Sequence, residues 1–165
     1  MTQDFLDELG ELALGSRLKR LSEHMMADAA NVYRHFGLDV QPKWFTLLAL
    51  LYQKDRIGVM EAADYLGLSQ PAISQFTHQL VEQGLISTDP CERDSRRRLL
   101  ALTDKGRAQV ECMQPMWRAV HRAAEQLCTE LDNDFYHALQ KCEQALARKS
   151  LLQRTLEFYD EPTRS

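Results

Sequence analysis

Apolar residues at Leu14, Leu18, Leu21, Met25, Ala29, Val32 and Phe36 recur at spacings of three and four, which predicts one long amphipathic helix from Asp4 to Phe36. Gly37 ends it, and Pro42 opens a second helix. That helix carries Trp44, Phe45, Leu47, Leu48, Leu50 and Leu51 and is apolar nearly all round, so it belongs in the middle of the core. After a short break at Gly58, residues 59–66 form a third helix with Ala62, Ala63 and Leu66 inward. Gly67 makes the turn, Leu68 plugs it, and Ser69 is placed to cap a fourth helix that runs to about Gln83 before Gly84 stops it. Pro71 falls in the first turn of that helix, where a missing N–H costs little. Ile73, Phe76 and Leu80 face inward, which leaves Gln70, Ser74, Gln75 and His78 on the opposite face.

A helix-turn-helix pattern is followed by two short apolar runs, Leu85-Ile86 and Leu99 to Leu102, around a polar turn holding Arg93, Arg96, Arg97 and Arg98. This is the pattern of a β-hairpin tipped with guanidinium groups. Thr103 then caps a very long helix with Val110, Met113, Trp117, Val120, Ala124, Leu127 and Leu131 in its stripe. Pro115 inside it is expected to kink or break it. A last helix starts near Asn133 with Phe135, Leu139, Cys142 and Leu146, and residues 150–158 extend it or add one short turn. The expected fold is mainly α with a small β-hairpin wing, a winged helix-turn-helix with long terminal helices. The domain reading is a single domain over 1–165, with dimerisation helices at 1–36 and 108–158 around a winged lobe at 42–107. Intertwining those helices between two copies would bury their stripes, which implies a symmetric homodimer.

At 165 residues the chain is long enough for a real core, and 44% hydrophobic with 27% charged residues is ordinary for a globular protein. No apolar run approaches the roughly 18 residues of a membrane span, and the acidic N-terminus lacks a signal peptide's basic segment, so the expected location is cytoplasmic. The net charge of −4 is unusual for a nucleic-acid binder. Charge here is segregated, however, with four arginines against one aspartate in residues 93–98, and screening makes the local patch decisive. Cys91, Cys112, Cys128 and Cys142 show no Cys-x-x-Cys spacing and read as free thiols. The five histidines form no His-x-x-x-His pair, and neither a metal nor a cofactor is implied. Without a glycine-rich phosphate loop or a nucleophile elbow, an enzyme is not expected.

Leu66-Gly67-Leu68-Ser69, Ile73-Ser74, Leu80, Gly84-Leu85-Ile86, Asp94-x-Arg96 and Leu100-x-Leu102-Thr103-x-x-Gly106, taken in order, resemble the MarR family of winged-helix transcriptional regulators. The stretch Leu14 to Leu21 and the Trp44-Phe45 pair also resemble the regulatory half of MarR-type proteins fused to an acetyltransferase, here as a stand-alone regulator. The resemblance implies a homodimer with interlocked terminal helices, two winged lobes on an inverted-repeat operator, and release of the DNA by a small ligand. It also implies that Arg96 enters the minor groove with Asp94 positioning it. Ser95 stands where the family has a first arginine, and Arg97 and Arg98 are the substitutes for its phosphate contact.

The expected contacts to double-stranded DNA are therefore Ser69, Gln70, Ser74, Gln75 and His78 from the helix, with Arg93, Asp94, Arg96, Arg97 and Arg98 from the wing. Glutamine amides suit adenine edges, while the hydroxyls and the helix N-terminus suit phosphates. Lysine and arginine are missing between Gln70 and Gly84, so phosphate affinity must come mainly from the wing, helped by Lys43, Lys54 and Arg56. His24, Met25, Trp44, Phe45, Trp117 and His121 are either plain core or the lining of a cleft for a small aromatic or amphipathic effector. Two alternatives use the same residues: a winged helix that binds only protein, and a redox-sensing regulator built on Cys91 beside Arg93.

Overall fold

The computed structural model describes residues 4–91, 94–131 and 134–159, with the backbone alone for Cys91 and residues 94–97. The chain forms two compact units, residues 1–114 and 115–165.

The first unit starts with a short helix α1 (Phe5–Glu8), a 3-10 turn (Gly10–Ala13) and the long α2 (Leu14–His35). The single helix expected from Asp4 to Phe36 is thus interrupted. Gly10 adopts a left-handed φ of +54°, which ends one helix and starts the next at the cost of only one residue. Asp4 caps α1, its Oδ1 accepting the Leu6 N–H at 3.1 Å. The Arg20 guanidinium, bonded to Asp4 at 2.6 Å, holds that carboxyl below the usual aspartate range. Asp7 pairs with Arg17 in the same way, so α1 is tied to the polar side of α2. Leu14, Leu18, Leu21 and Met25 of α2 are exposed in the single chain.

A 3-10 turn (Pro42–Trp44) leads into α3 (Phe45–Lys54). As expected, this is the core helix: Trp44, Leu47, Leu48 and Leu51 are fully buried. Asp55, at a φ of +57°, turns the chain into strand β1 (Arg56–Gly58), where the sequence suggested only a break. Helix α4 (Val59–Leu66) buries Ala62 and Ala63. It closes at Gly67, which is left-handed, with the Leu68 N–H donating to the Ala63 carbonyl at 3.0 Å. Leu68 itself is exposed rather than plugging the turn, because that backbone closure already satisfies the helix end.

Ser69 caps α5 (Gln70–Glu82), its Oγ accepting the Ala72 N–H at 3.3 Å. Ile73 and Leu80 are fully buried, with Phe76 at the margin. Strands β2 (Ile86–Cys91) and β3 (Asp94–Leu102) form the hairpin. The sheet is antiparallel in the order β1-β3-β2, pairing Ile57 and Thr88 on either side of Leu100. The strands run further towards the tip than the two apolar runs alone suggested, because ladder pairing continues past the last apolar residue and shifts register after Pro90.

Helix α6 (Asp104–Glu130) runs through Pro115 without a break. Its first turn is locked to the end of α5. Thr103 Oγ1 donates to the Gly84 carbonyl at 2.7 Å and accepts the Gly106 N–H at 3.0 Å. Lys105 Nζ donates to the Gln83 carbonyl at 2.7 Å, placing a cation on the C-terminal end of α5.

In the second unit, α7 (Phe135–Arg148) starts at Asp134, whose Oδ1 accepts the His137 N–H at 3.3 Å. Extended backbone at Lys149 separates it from α8 (Leu151–Tyr159), which is therefore a helix of its own. Neither α7 nor α8 buries a residue, and Leu146, Leu151, Leu152 and Phe158 are exposed. Among the described residues no helix is long and apolar enough to cross a membrane. Cys112, Cys128 and Cys142 are free thiols.

Candidate nucleic-acid interface

Because α5 is held down by Ile73 and Leu80, the helical period sends residues 70, 74, 75 and 78 outward, and all four are exposed. Gln70, Ser74 and His78 lie one turn apart along one wall of an open groove of about 910 Å³. The opposite wall is the base of the hairpin, with Thr88, Arg98 and Leu99, and its floor includes the start of α4. The structure thus brings three of the four outward residues of α5 together with one of the wing arginines. Gln75 and Ser69 are exposed on the same helix start and face but do not line the groove.

Arg98 is held in place rather than free. Its Nη1 donates to Thr88 Oγ1 at 3.2 Å, across the strands and two positions from its register partner Pro90. Arg93 and the side chains of Asp94, Arg96 and Arg97 lie outside the described residues.

The groove's charge is not uniformly positive. Glu61, Asp64 and Glu82 line it, and the Glu82 carboxylate stands 3.4 Å from His78 Nδ1. Its only arginine or lysine among the described residues is Arg98. Elsewhere in the first unit, Arg107 pairs with Asp55 at 2.9 Å and Arg56 with Asp89 at 3.9 Å, while Lys54 sits 4.9 Å from the Tyr65 ring centre. Chemically the site offers amide, hydroxyl and imidazole groups for hydrogen bonding to base edges, beside one fixed cation suited to a phosphate.

The six residues weighed as core or effector cleft divide differently. Trp44 is 1% exposed, and its Nε1–H donates to Gln79 Oε1 at 3.1 Å, so its indole is core with a bonded polar edge. Phe45 is 40% exposed beside it, and Met25 is half exposed. His24 faces Asp28 at 3.8 Å on the open side of α2. Trp117, half-buried, and His121, 3.3 Å from Glu125, belong to the second unit. A smaller cleft of about 380 Å³ on α2 includes His24 among its lining and none of the other five.

Gln79 and Thr88 were not among the residues the sequence singled out. Each is a polar residue whose partner is distant in the chain, 35 residues away for Gln79 and 10 for Thr88, and no periodicity signals such pairs. The one available hint is that Gln79 sits at the edge between the buried stripe of α5 and its outward face.

Residues 36–97 match the model of the MarR family. Among solved structures, the transcriptional repressor CouR bound to a 23-mer DNA duplex is 28% identical, with a TM-score of 0.64 over 84% of this chain and 96% of that one. The S. aureus MepR–DNA complex is 20% identical, with a TM-score of 0.67 over 82% of this chain and 96% of that one. The PcaV regulator from Streptomyces coelicolor, in complex with its natural ligand, is 18% identical, with a TM-score of 0.64 over 82% and 92%. The family match falls on the segment that holds the capped α5, most of the groove beside it and the start of the hairpin.

Proposed function

We propose that the protein is a DNA-binding transcription regulator that works as a homodimer on an inverted-repeat operator. The observation that carries this reading is the groove in which Gln70, Ser74 and His78 of α5 face Arg98 of the hairpin. An outward row of hydrogen-bonding side chains on the second helix of a helix-turn-helix suits the major groove, and the wing suits the flanking backbone or minor groove. The resemblance to CouR, itself a repressor bound to DNA, supports the same assignment. The exposed apolar stripes of α2, α7 and α8 are what a second copy would cover, and area of that kind is worth roughly 25 cal/mol per Å².

A regulator of this type acts in the cytoplasm and controls access to DNA rather than transforming a substrate. Release by a small aromatic or amphipathic effector completes the proposal. Two-fold protein symmetry imposes two-fold symmetry on the site, with half-site centres about one or two helical turns apart. Footprinting of the full chain on the DNA upstream of its own gene is expected to protect such an inverted repeat. Sedimentation at micromolar concentration is expected to give a dimer. Equal affinity for the protected fragment and for scrambled DNA of the same length would overturn the reading.

The salt dependence of binding tests the wing. Arg98→Ala removes one phosphate-neutralising group per subunit, so the slope of log affinity against log salt is expected to fall by about 0.9 per contact, or roughly 1.8 per dimer. Fluorescence anisotropy between low and moderate salt measures this. An unchanged slope would make the Arg98–Thr88 pair a structural brace of the hairpin and nothing more.

A further inference from the structure

A helix that reads base edges must be fixed not only in position but in rotation about its own axis. With an outer radius of about 5–6 Å, a turn of roughly 20° displaces the tips of its side chains by about 2 Å, enough to lose a bidentate contact. The buried contacts of Ile73 and Leu80 hold α5 against the core, but apolar packing is non-directional and resists such a turn only weakly. Directional contacts at the C-terminal end of α5 come from Thr103 and Lys105, bonded to the Gly84 and Gln83 carbonyls, and those along its length come from residues 43 and 44. Trp44 Nε1–H donates to Gln79 Oε1 at 3.1 Å, and Lys43 Nζ lies 5.8 Å from the Trp44 ring centre and 5.9 Å from that of Phe76. Phe76 and Gln79 are one turn apart on α5, and Gln79 stands next to His78 and four residues beyond Gln75. The indole that holds Gln79 cannot follow a rotating helix, because it is fully buried at the entry to α3.

We infer that Gln79 is a positioning residue: its hydrogen bond to Trp44 sets the rotation of α5 and thereby aims Gln75 and His78 at the bases. The inference rests on the DNA-reading function proposed above and assigns Trp44 a role in site discrimination rather than in holding a ligand. Gln79 need not touch DNA for this. Its loss acts on how well the protein distinguishes sequences and leaves the phosphate contacts of the wing as they are.

The test compares affinity for the protected operator fragment with affinity for scrambled DNA, using the full chain. Gln79→Met keeps length and shape but cannot accept the bond. The operator-to-scrambled ratio is expected to drop roughly fivefold to tenfold per half-site, about the worth of one neutral hydrogen bond, with scrambled-DNA affinity and salt slope unchanged. Gln79→Glu restores the acceptor. It is expected to recover the ratio while its charge weakens binding to both DNAs alike.

Trp44→Phe attacks the same bond from the other side, and combining it with Gln79→Met is expected to lower the ratio no further than either change alone. Should Trp44→Phe fail to fold, Gln79→Met in a Trp117→Phe background supplies the second measurement, a blue shift of Trp44 emission as its N–H loses its partner. A wild-type chain that discriminates, together with a Gln79→Met ratio that does not change, overturns the inference alone. So do losses that multiply in the double variant, or a ratio that Gln79→Glu leaves low. A wild-type chain that does not discriminate overturns the DNA-reading function, and this inference with it.

Discussion

Gly106→Ala is expected to destabilise the protein by at least about 3 kcal/mol, above the usual cost of adding a methyl group to a packed site. A Cβ on residue 106 would stand 1.9 Å from the Leu85 carbonyl oxygen and 2.8 Å from its carbon. Both are backbone atoms, so no side chain can swing aside. Nor can the backbone retreat cheaply. The Leu85 carbonyl accepts the Thr103 N–H at 3.1 Å, and Leu85 donates its own N–H to Leu80 at 2.9 Å. Moving α6 away would also strain the bonds from Thr103 to Gly84 and from Lys105 to Gln83. Chemical denaturation measures the loss as a lower midpoint at unchanged slope. A midpoint equal to that of the wild type would mean that the start of α6 is free to shift, contrary to the close approach seen here.

The second large effect is expected on binding. Gln75→Ala and His78→Ala should each cost about 1–3 kcal/mol per half-site on the operator and much less on scrambled DNA. Both side chains are exposed and point away from the buried stripe, and alanine is the best helix former, so neither change should lower stability. If the two side chains read separate base pairs, the double variant should lose the sum of the two single effects. Competition binding against both DNAs measures all of these. Equal losses on operator and scrambled DNA would show that the two residues support the complex without reading sequence.

Much of the fold is legible in the chain because its punctuation is local. Gly37, Gly67 and Gly84 all take the left-handed conformation at which their helices end, and Ser69 caps α5 as its position suggests. These features depend on neighbours within about four residues. What is not legible depends on distant partners. Strand β1 is only three residues long, and its identity comes from pairing Ile57 with Leu100, far along the chain. The interruption at Gly10 was hidden because apolar spacing continues across it, and the period alone does not register one left-handed residue.

For the site the division is similar. The outward face of α5 follows from its period, whereas the Arg98–Thr88 and Trp44–Gln79 pairs follow from sheet register and core packing. Trp44 shows why the aromatic cluster was ambiguous. Composition alone does not distinguish an indole that lines a cleft from one that bolts two helices together.

The absence of lysine and arginine from Val59 to Gly84 has a consequence for target search in a cell whose ionic strength varies. Cations released from the DNA backbone make binding salt-dependent, and on the proposed function that exchange falls to the wing, which would engage any duplex it meets. On the same proposed function, the groups that would tell one sequence from another are amides, hydroxyls and an imidazole, which displace water rather than ions. Osmotic upshift should therefore loosen the hold on the operator and on bulk chromosomal DNA in parallel. Occupancy would fall, while the preference for the correct site, being a ratio, would persist.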